Sequence, residues 1–208
     1  MTVLPREFYA RDSRTVAKEL LNKVLVRGDV SARLVEVEAY CGSIDPGSHA
    51  FRGETKRNAT MFGPAGGLYV YFTYGMHWCA NAVCGDEGEG VAVLLRAAAP
   101  LTGIDEMFAR RGVGARRERD LCSGPAKLCQ SFGLDRAFDG ADLVTGDHGV
   151  MIVDDDVPPP RRRGNSVRIG LSAGAEHPWR WFVEGDPNVS RLPTSPTRRR
   201  ALRRNASS

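Results

Sequence analysis

Leu68-Tyr69-Val70-Tyr71-Phe72-Thr73-Tyr74-Gly75-Met76-His77-Trp78-Cys79-Ala80-Asn81 carries two patterns that meet at one turn. Its first half alternates strictly. Leu68, Val70 and Phe72 fall on one face of a strand, and Tyr69, Tyr71 and Thr73 on the other. Tyr74-Gly75 breaks the alternation, since glycine allows backbone angles closed to other residues, and an apolar run from Met76 to Cys84 leads away. The pattern is that of a hairpin whose tip presents the ring of Tyr74 beside the flexible side chain of Met76. A buried tyrosine needs a partner for its hydroxyl, which Phe or Leu would not. Tyr69, Tyr71 and Tyr74 fit either a well-packed strand pair with half-wet phenols or a platform for stacking flat rings.

Upstream, Asp12 to Leu21 suits a short helix that Asp12 or Ser13 can cap, with Val16, Ala17, Leu20 and Leu21 as its apolar stripe. Lys23–Arg27 and Ala32–Tyr40 read as strands joined at Gly28-Asp29. On the second, Leu34, Glu36 and Glu38 share a face opposite Arg33, Val35, Val37 and Ala39. Carboxylates in mid-strand among apolar neighbours are unusual, because strands disfavour Glu and burial makes its charge costly. Either that face is solvated or one glutamate is held there for chemistry. Residues 41–67 are irregular and rich in Gly and Pro, yet His49, Phe51, Met61 and Phe62 within them favour order.

Downstream, Gly85–Gly90 forms an acidic turn and Val91–Ala97 a buried strand containing Arg96. Thr102–Arg111 and Leu121–Phe132 read as helical segments flanking a basic loop. Asp154–Arg163 reads as a surface loop, and Val167–Leu171 and Trp179–Val183 as closing strands. Ser123-Gly124-Pro125-Ala126-Lys127 is either a phosphate-holding helix start or a plain helix entry.

At 208 residues, with 42% hydrophobic and 26% charged content, the composition is that of a globular protein of one large domain or two very small ones. No apolar run approaches the roughly 20 residues that span a bilayer, and Met1–Arg11 lacks a signal-peptide core. Five cysteines without a CxxC pair argue for reduced thiols in a cytosolic, intracellular setting and against a zinc site. The net charge of +4 is local: five arginines lie at 198–204, and without them the chain carries −1. Binding of a polyanion by the folded part therefore needs a patch rather than an overall field.

No G-x-G-x-x-G, no P-loop and no Ser or Cys nucleophile with a paired base is evident. Two glutamates suggest a glycoside-type reaction, in which carboxylates stabilise an oxocarbenium-like sugar and activate water. The tyrosines suggest that the leaving group is a flat ring.

Leu34-Val35-Glu36-Val37-Glu38-Ala39-Tyr40, Arg57-Asn58 with Met61-Phe62, Leu68 to Met76, Leu94-Leu95-Arg96-Ala97 and Leu121-Cys122-Ser123-Gly124-Pro125 together resemble the alkyladenine (3-methyladenine) DNA glycosylase family. The likeness runs in order from about residue 5 to residue 190. It implies a base-excision repair enzyme that flips alkylated or deaminated purines out of double-stranded DNA and hydrolyses the N-glycosidic bond. It also implies an α+β fold: one compact domain over residues 1–192, with a curved, mainly antiparallel sheet, peripheral helices and a projecting β-hairpin. Residues 193–208 would form a disordered basic tail.

By motif position Glu38 resembles the general base that activates water. Arg96 resembles a residue near the target phosphate and water. Tyr40, His49 and Tyr71 would line the pocket around the extruded base, with Leu94 near it and Asn81 opposing a guanine 2-amino group. Tyr74 would be the wedge that enters from the minor groove, with Met76 beside it. His77 and Trp78 depart from the pattern, as does Thr73, and the loop from Asp147 to Asn165 matches little. The implied enzyme is a monomer without metal or cofactor, contacts no membrane, and works in the cytoplasm or nucleoid if bacterial.

Elementary energetics agree. Unstacking a base costs a few kcal/mol, less at a damaged pair, and tyrosine faces attract a cationic ring by roughly 0.5–2 kcal/mol. An alkylated purine departs neutral, so one carboxylate suffices. Water attack without an amine leaves an intact abasic site. Two other readings stay open: a non-catalytic nucleic-acid-binding protein that uses stacking aromatics and the arginine tail, which leaves Glu38 unexplained, and a hydrolase of free nucleosides or glycosides using Glu36 and Glu38 together, which leaves Tyr74 unexplained.

Overall fold

The computed structural model describes residues 1–190; the expected basic tail lies outside them. In chain order the elements are β1 (Thr2–Val3), α1 (Arg6–Tyr9), α2 (Ser13–Leu20), β2 (Val24–Arg27) and β3 (Val30–Cys41). Two 3-10 turns, Gly42–Ile44 and Ala59–Phe62, interrupt the long connection that follows. Next come β4 (Gly67–Thr73), β5 (His77–Cys84) and β6 (Val91–Thr102), then α3 (Ile104–Arg111), α4 (Arg119–Cys122) and α5 (Pro125–Phe132). The described chain closes with β7 (Ala141–Asp142), β8 (Val150–Asp154), β9 (Arg163–Ser166) and β10 (Arg180–Val183).

All strand pairings are antiparallel, in the order β1-β8-β2-β3-β6-β5-β4-β7, with β10 on β3 and β9 on β10. The sheet curls strongly and the helices cover one side of it, giving the single α+β domain the sequence implied. No helix among the described residues is long and apolar enough to cross a membrane.

Period-2 alternation decides which side chains meet. Along β4, Leu68 and Val70 enter the main core with Leu20, Val37, Leu95, Leu128 and Phe132, while Tyr69 and Tyr71 pack on the other face with Met61 and Val83. Burying Leu-sized side chains contributes roughly 1.5–3 kcal/mol each, so the core face holds the register that aims the tyrosines outward.

β3 corrects the simple alternation. Leu34 does not share a face with Glu36 and Glu38; it sits in the core with Val37 and Ala39. Its pairing with β6 steps from Leu34↔Ala98 to Glu36↔Ala97 and then to Val37↔Leu95. Val35 is therefore an extra residue on β3 and Arg96 an extra residue on β6, a matched pair of bulges that flips both strands' alternation together. Ala98, Leu95 and Val93 thus all face the core on β6, while Glu36, Glu38 and Arg96 gather on the opposite side.

Three further expectations change. Val167–Leu171 forms no strand; the pairing with β10 belongs to Arg163–Ser166, at the end of the stretch read as a loop. A Cβ on Gly164 would lie 2.1 Å from the Phe182 ring, so close strand approach, not side-chain hydrophobicity, selects that segment. The helical segment from Leu121 breaks at Ser123-Gly124, where Gly124 has φ +151°, and restarts at Pro125, a good first helical residue. Thr102 ends β6 rather than opening α3. The cap on α2 is as read: the Asp12 side chain accepts from the Arg14 backbone N–H at 2.8 Å.

Candidate active site

On the tyrosine face of the sheet, a cavity of about 790 Å³ including its mouth lies between strands β3 to β6, the long connection with its second 3-10 turn, and the segment 169–171. Tyr40, His49, Tyr71, Tyr74, Asn81, Leu94 and Arg96 all line it, as do Tyr69, Cys79 and Ile169. Residues from five separate stretches of sequence thus converge on one space. Met76 does not; it is 68% exposed and lines a neighbouring surface groove with His77 and Trp78.

Glu38 lies immediately behind this wall and is fully buried. Its Oε2 accepts from the Tyr40 hydroxyl at 3.1 Å and pairs with Arg96 Nη1 at 3.2 Å, and its Oε1 accepts from the Ile169 N–H at 2.8 Å. All three partners are wall residues. Burial pushes the Glu38 carboxyl up from its ordinary value, opposed by Arg96, Ile169 and Tyr40. Oε1 has used one of its two acceptor positions.

Glu36, two residues earlier, is equally buried but differently held. Its Oε1 accepts from Arg96 Nε (2.9 Å), Arg180 Nε (2.7 Å) and Ser190 Oγ (2.7 Å), and its Oε2 from the Ser190 N–H (2.6 Å). Burial alone would raise this carboxyl, but Arg96, Arg180 and Ser190 outweigh it and hold it below the ordinary carboxylate range. Glu36 is therefore a fixed anion that anchors two arginines. Glu38, with one shared arginine and a neutral N–H, is the titratable one. The solvated-face reading of the two glutamates is excluded by their burial.

The aromatic walls are mutually braced. Tyr69 and Tyr71 stack with ring centroids 5.3 Å apart, and His49 meets Tyr71 edge-on at 4.5 Å. His49 Nδ1 lies 3.2 Å from the Tyr69 hydroxyl. Burial, aided by Arg57, lowers the His49 pKa, so its imidazole is neutral at pH 7. Burial raises Tyr69 to about 12 and raises Tyr40 and Tyr71 as well, keeping all three phenols protonated. Asn81 donates to the Tyr69 carbonyl at 3.1 Å and pairs in register with Leu94, which places both at the cavity end of β5 and β6.

At the mouth, Tyr74 is 79% exposed. Tyr74 (φ +51°) and Gly75 (φ +68°) occupy the two centre positions of a tight turn closed by the Met76 N–H on the Thr73 carbonyl at 3.2 Å. Positive φ at both positions is the type I′ pattern, which prefers Asn-Gly or Gly-Gly, and the Thr73↔His77 pairing leaves Met76 as a third connecting residue. A tyrosine there costs roughly 1–2 kcal/mol, and its exposed ring recovers nothing from the core. Backbone strain beside an unburied aromatic is a functional signature.

Sequence reasoning missed the segment 168–171. Arg168 makes a buried bidentate pair with Asp45 at 2.5 and 2.6 Å, and the next residue supplies the N–H on Glu38. A pairing across 123 positions leaves no local signal. The family resemblance points to Arg96 but not to the bulge that turns it inward. Among the described residues, no group of three or more His, Cys, Asp or Glu side chains could hold a metal ion.

Comparison with known proteins gives one answer. The family model for methylpurine-DNA glycosylase matches residues 7–187. A Burkholderia lata protein provisionally named 3-methyladenine DNA glycosylase is 54% identical over 189 residues, covering 90% of this chain and 91% of that protein. Proteins of the same provisional name from Streptomyces avermitilis and Carboxydothermus hydrogenoformans are 47% and 44% identical, covering 96% and 91% of this chain and 96% and 99% of theirs.

Proposed function

The chain belongs to the methylpurine-DNA glycosylase family, and from that premise we propose that it rotates alkylated or deaminated purines out of duplex DNA and hydrolyses their N-glycosidic bond. It is a DNA glycosylase, a hydrolase acting on N-glycosyl bonds. The observation that carries the finer reading is Glu38, a buried carboxylate bonded to the wall of an aromatic cavity whose mouth holds the exposed, strained Tyr74.

In this reading Tyr74 enters the duplex from the minor groove and fills the gap left by the flipped nucleotide, with Met76 alongside. The purine stacks among Tyr40, Tyr71 and His49. Their phenols stay protonated and the imidazole neutral, so the walls offer π-faces and uncharged hydrogen-bonding groups to a cationic or neutral base. Asn81 and Leu94 shape the inner end, and Asn81 opposes a guanine 2-amino group.

As the sugar acquires oxocarbenium character, ionised Glu38 stabilises it and takes a proton from the attacking water through the open acceptor position of Oε1. Arg96, with the Ile169 N–H, opposes the burial that raises that carboxyl and so favours its ionised form. An N-alkylated purine carries its positive charge into the transition state and leaves neutral, so it needs no second acid, which accords with Glu36 being committed to Arg180 and Ser190; a deaminated purine, neutral at the start, leaves with a proton taken from solvent water. No lysine lines the cavity among the described residues, in keeping with a monofunctional enzyme that leaves an abasic site intact. The catalytic unit is the monomer.

The test uses duplexes carrying a single 3-methyladenine, hypoxanthine or ethenoadenine, with released base measured by chromatography. Release from duplex DNA far exceeding that from the free nucleosides is the expected result. No release from any lesion, or preference for nucleosides, refutes it.

A further inference from the structure

The Arg168 side chain is wholly buried and outside the cavity lining, yet it packs against the Tyr40 part of the wall from behind. Its guanidinium lies 4.7 Å from the Tyr40 ring centroid and 5.0 Å from that of Trp179. Trp179 in turn stacks on His177 at 4.0 Å and 8°. The result is a layered pile, His177–Trp179–Arg168–Tyr40, running from the surface to the cavity wall. Nη1 also donates to the Ala39 carbonyl at 3.0 Å, the backbone link between Glu38 and Tyr40, and Nη2 donates to the Gly174 carbonyl at 3.0 Å.

Asp45 locks the arrangement from the other side. Besides both Arg168 nitrogens it accepts the backbone N–H groups of Cys41 and Gly47 at 3.1 and 2.9 Å. The turn after β3 is thus tied to the segment whose next residue, Ile169, donates to Glu38.

We infer that Arg168, clamped by Asp45, is a positioning residue: it fixes the plane of the Tyr40 ring and holds the Ile169 N–H on Glu38 Oε1, and so sets both pocket shape and the readiness of the base. The inference rests on the proposed excision reaction. A surface ion pair would be worth little; this one is planar, bidentate, stacked and dry, the geometry for which arginine is not replaceable by lysine.

The consequence lies in pH dependence. The groups facing Glu38 are Tyr40 and Glu36 on β3, Tyr71 on β4, Cys79 on β5, Arg96 on β6 and Arg168 itself; Arg180 of β10 is opposite but turned onto Glu36. The Ile169 N–H favours the ionised carboxylate, so losing it moves the acid limb of activity to higher pH.

Removing Arg168 alone would strand a buried Asp45. The informative variant is therefore Asp45→Asn with Arg168→Met, which deletes one charge of each sign; because Arg168 itself faces Glu38, Arg168→Lys, which keeps that charge, runs beside it, so that a limb raised in both reports the lost Ile169 bond rather than a changed field. Single-turnover release of hypoxanthine from duplex DNA is measured against pH, alongside lesion-duplex affinity and thermal midpoint. The folded double variant should show a limb raised by about half a unit or more and a plateau lowered on the order of 10- to 100-fold, with affinity changed far less.

A folded variant with an unmoved limb overturns the inference, whatever its rate. Should the double variant not fold, Arg168→Lys, which keeps the charge against Asp45 and loses the fork, decides alone: a raised limb supports the clamp and an unmoved one overturns it. Wild-type protein and Glu38→Gln run beside it: an inactive wild type, or a fully active Glu38→Gln, sinks the excision reading itself instead.

Discussion

Glu38→Gln separates the chemical role of this residue from its place in the fold. Glutamine matches glutamate in shape and keeps an acceptor for the Ile169 N–H, so cavity and wedge are undisturbed and lesion-duplex affinity should change by less than about threefold. The amide cannot take a proton from water. Loss of a positioned general base costs about 100- to 10,000-fold in rate, equivalent to roughly 2.7–5.5 kcal/mol of transition-state stabilisation. Stability supplies an independent sign. Burial holds the Glu38 carboxyl above its ordinary 4.5, so between the unfolded and folded values the native state keeps a proton that the unfolded chain has released. The stability from this group is therefore full below the unfolded value and declines as pH rises through the folded one. Glutamine does not titrate, so the variant's thermal midpoint should gain on wild type as pH is raised from 4 to 8. Gel-shift affinity, single-turnover base release and scanning calorimetry measure the three quantities. Unimpaired base release, or a midpoint difference flat across pH, refutes the assignment of Glu38 as the elevated, catalytic carboxylate.

Tyr74→Gly should raise stability by about 1 kcal/mol by relieving the positive φ, while lowering excision at limiting enzyme about tenfold or more by removing the wedge; if excision from duplex DNA is unchanged, Tyr74 has no part in extrusion. Glu36→Gln leaves Arg96 and Arg180 without their shared charge and should cost roughly 3–5 kcal/mol in urea unfolding at pH 7. Because the Glu36 carboxyl is held below its ordinary value, this cost is present above about pH 4.5 and fades as pH falls through the folded value; a cost independent of pH contradicts the anchor role. Gly47→Ala would put a Cβ 2.7 Å from Leu171 Cδ1 and 2.9 Å from both the Ala173 carbonyl oxygen and Arg168 Nη2. Overpacking there should cost about 1–3 kcal/mol and slow base release, and a variant with wild-type stability and rate shows that the segment yields freely.

The parts of this molecule legible in its sequence are those fixed by neighbours along the chain. The β4–β5 hairpin is one: alternation sets its faces and Tyr74-Gly75 its turn, and the core cluster of Leu68 and Val70 enforces the register. What was not legible arises from contacts between distant segments. The bulges at Val35 and Arg96 have no compositional mark, because each exists only opposite the other, and they moved Leu34 into the core against a plain period of two. Ile169 and Leu171 look like strand residues because their apolar side chains line the cavity; the segment that pairs, Arg163–Ser166, is polar and was chosen by the room Gly164 leaves beneath Phe182.

The same limit governs the two glutamates. Their place mid-strand left a solvated face and a buried charge both open, and the local difference that Tyr40, two residues on, donates to Glu38 does not by itself set the two carboxylates apart. The distinction is made by what arrives from elsewhere: Arg180 and Ser190 come to Glu36 from positions 144 and 154 residues away, whereas Glu38 receives a single uncharged N–H from Ile169 and a share of Arg96. Two arginines on one carboxylate, against a share of one on its neighbour, drive their affinities for protons apart. A strand that carries two equivalent acids in sequence thereby holds, in the fold, one anion fixed as structure and one carboxylate that, on the proposed function, is the base free to react.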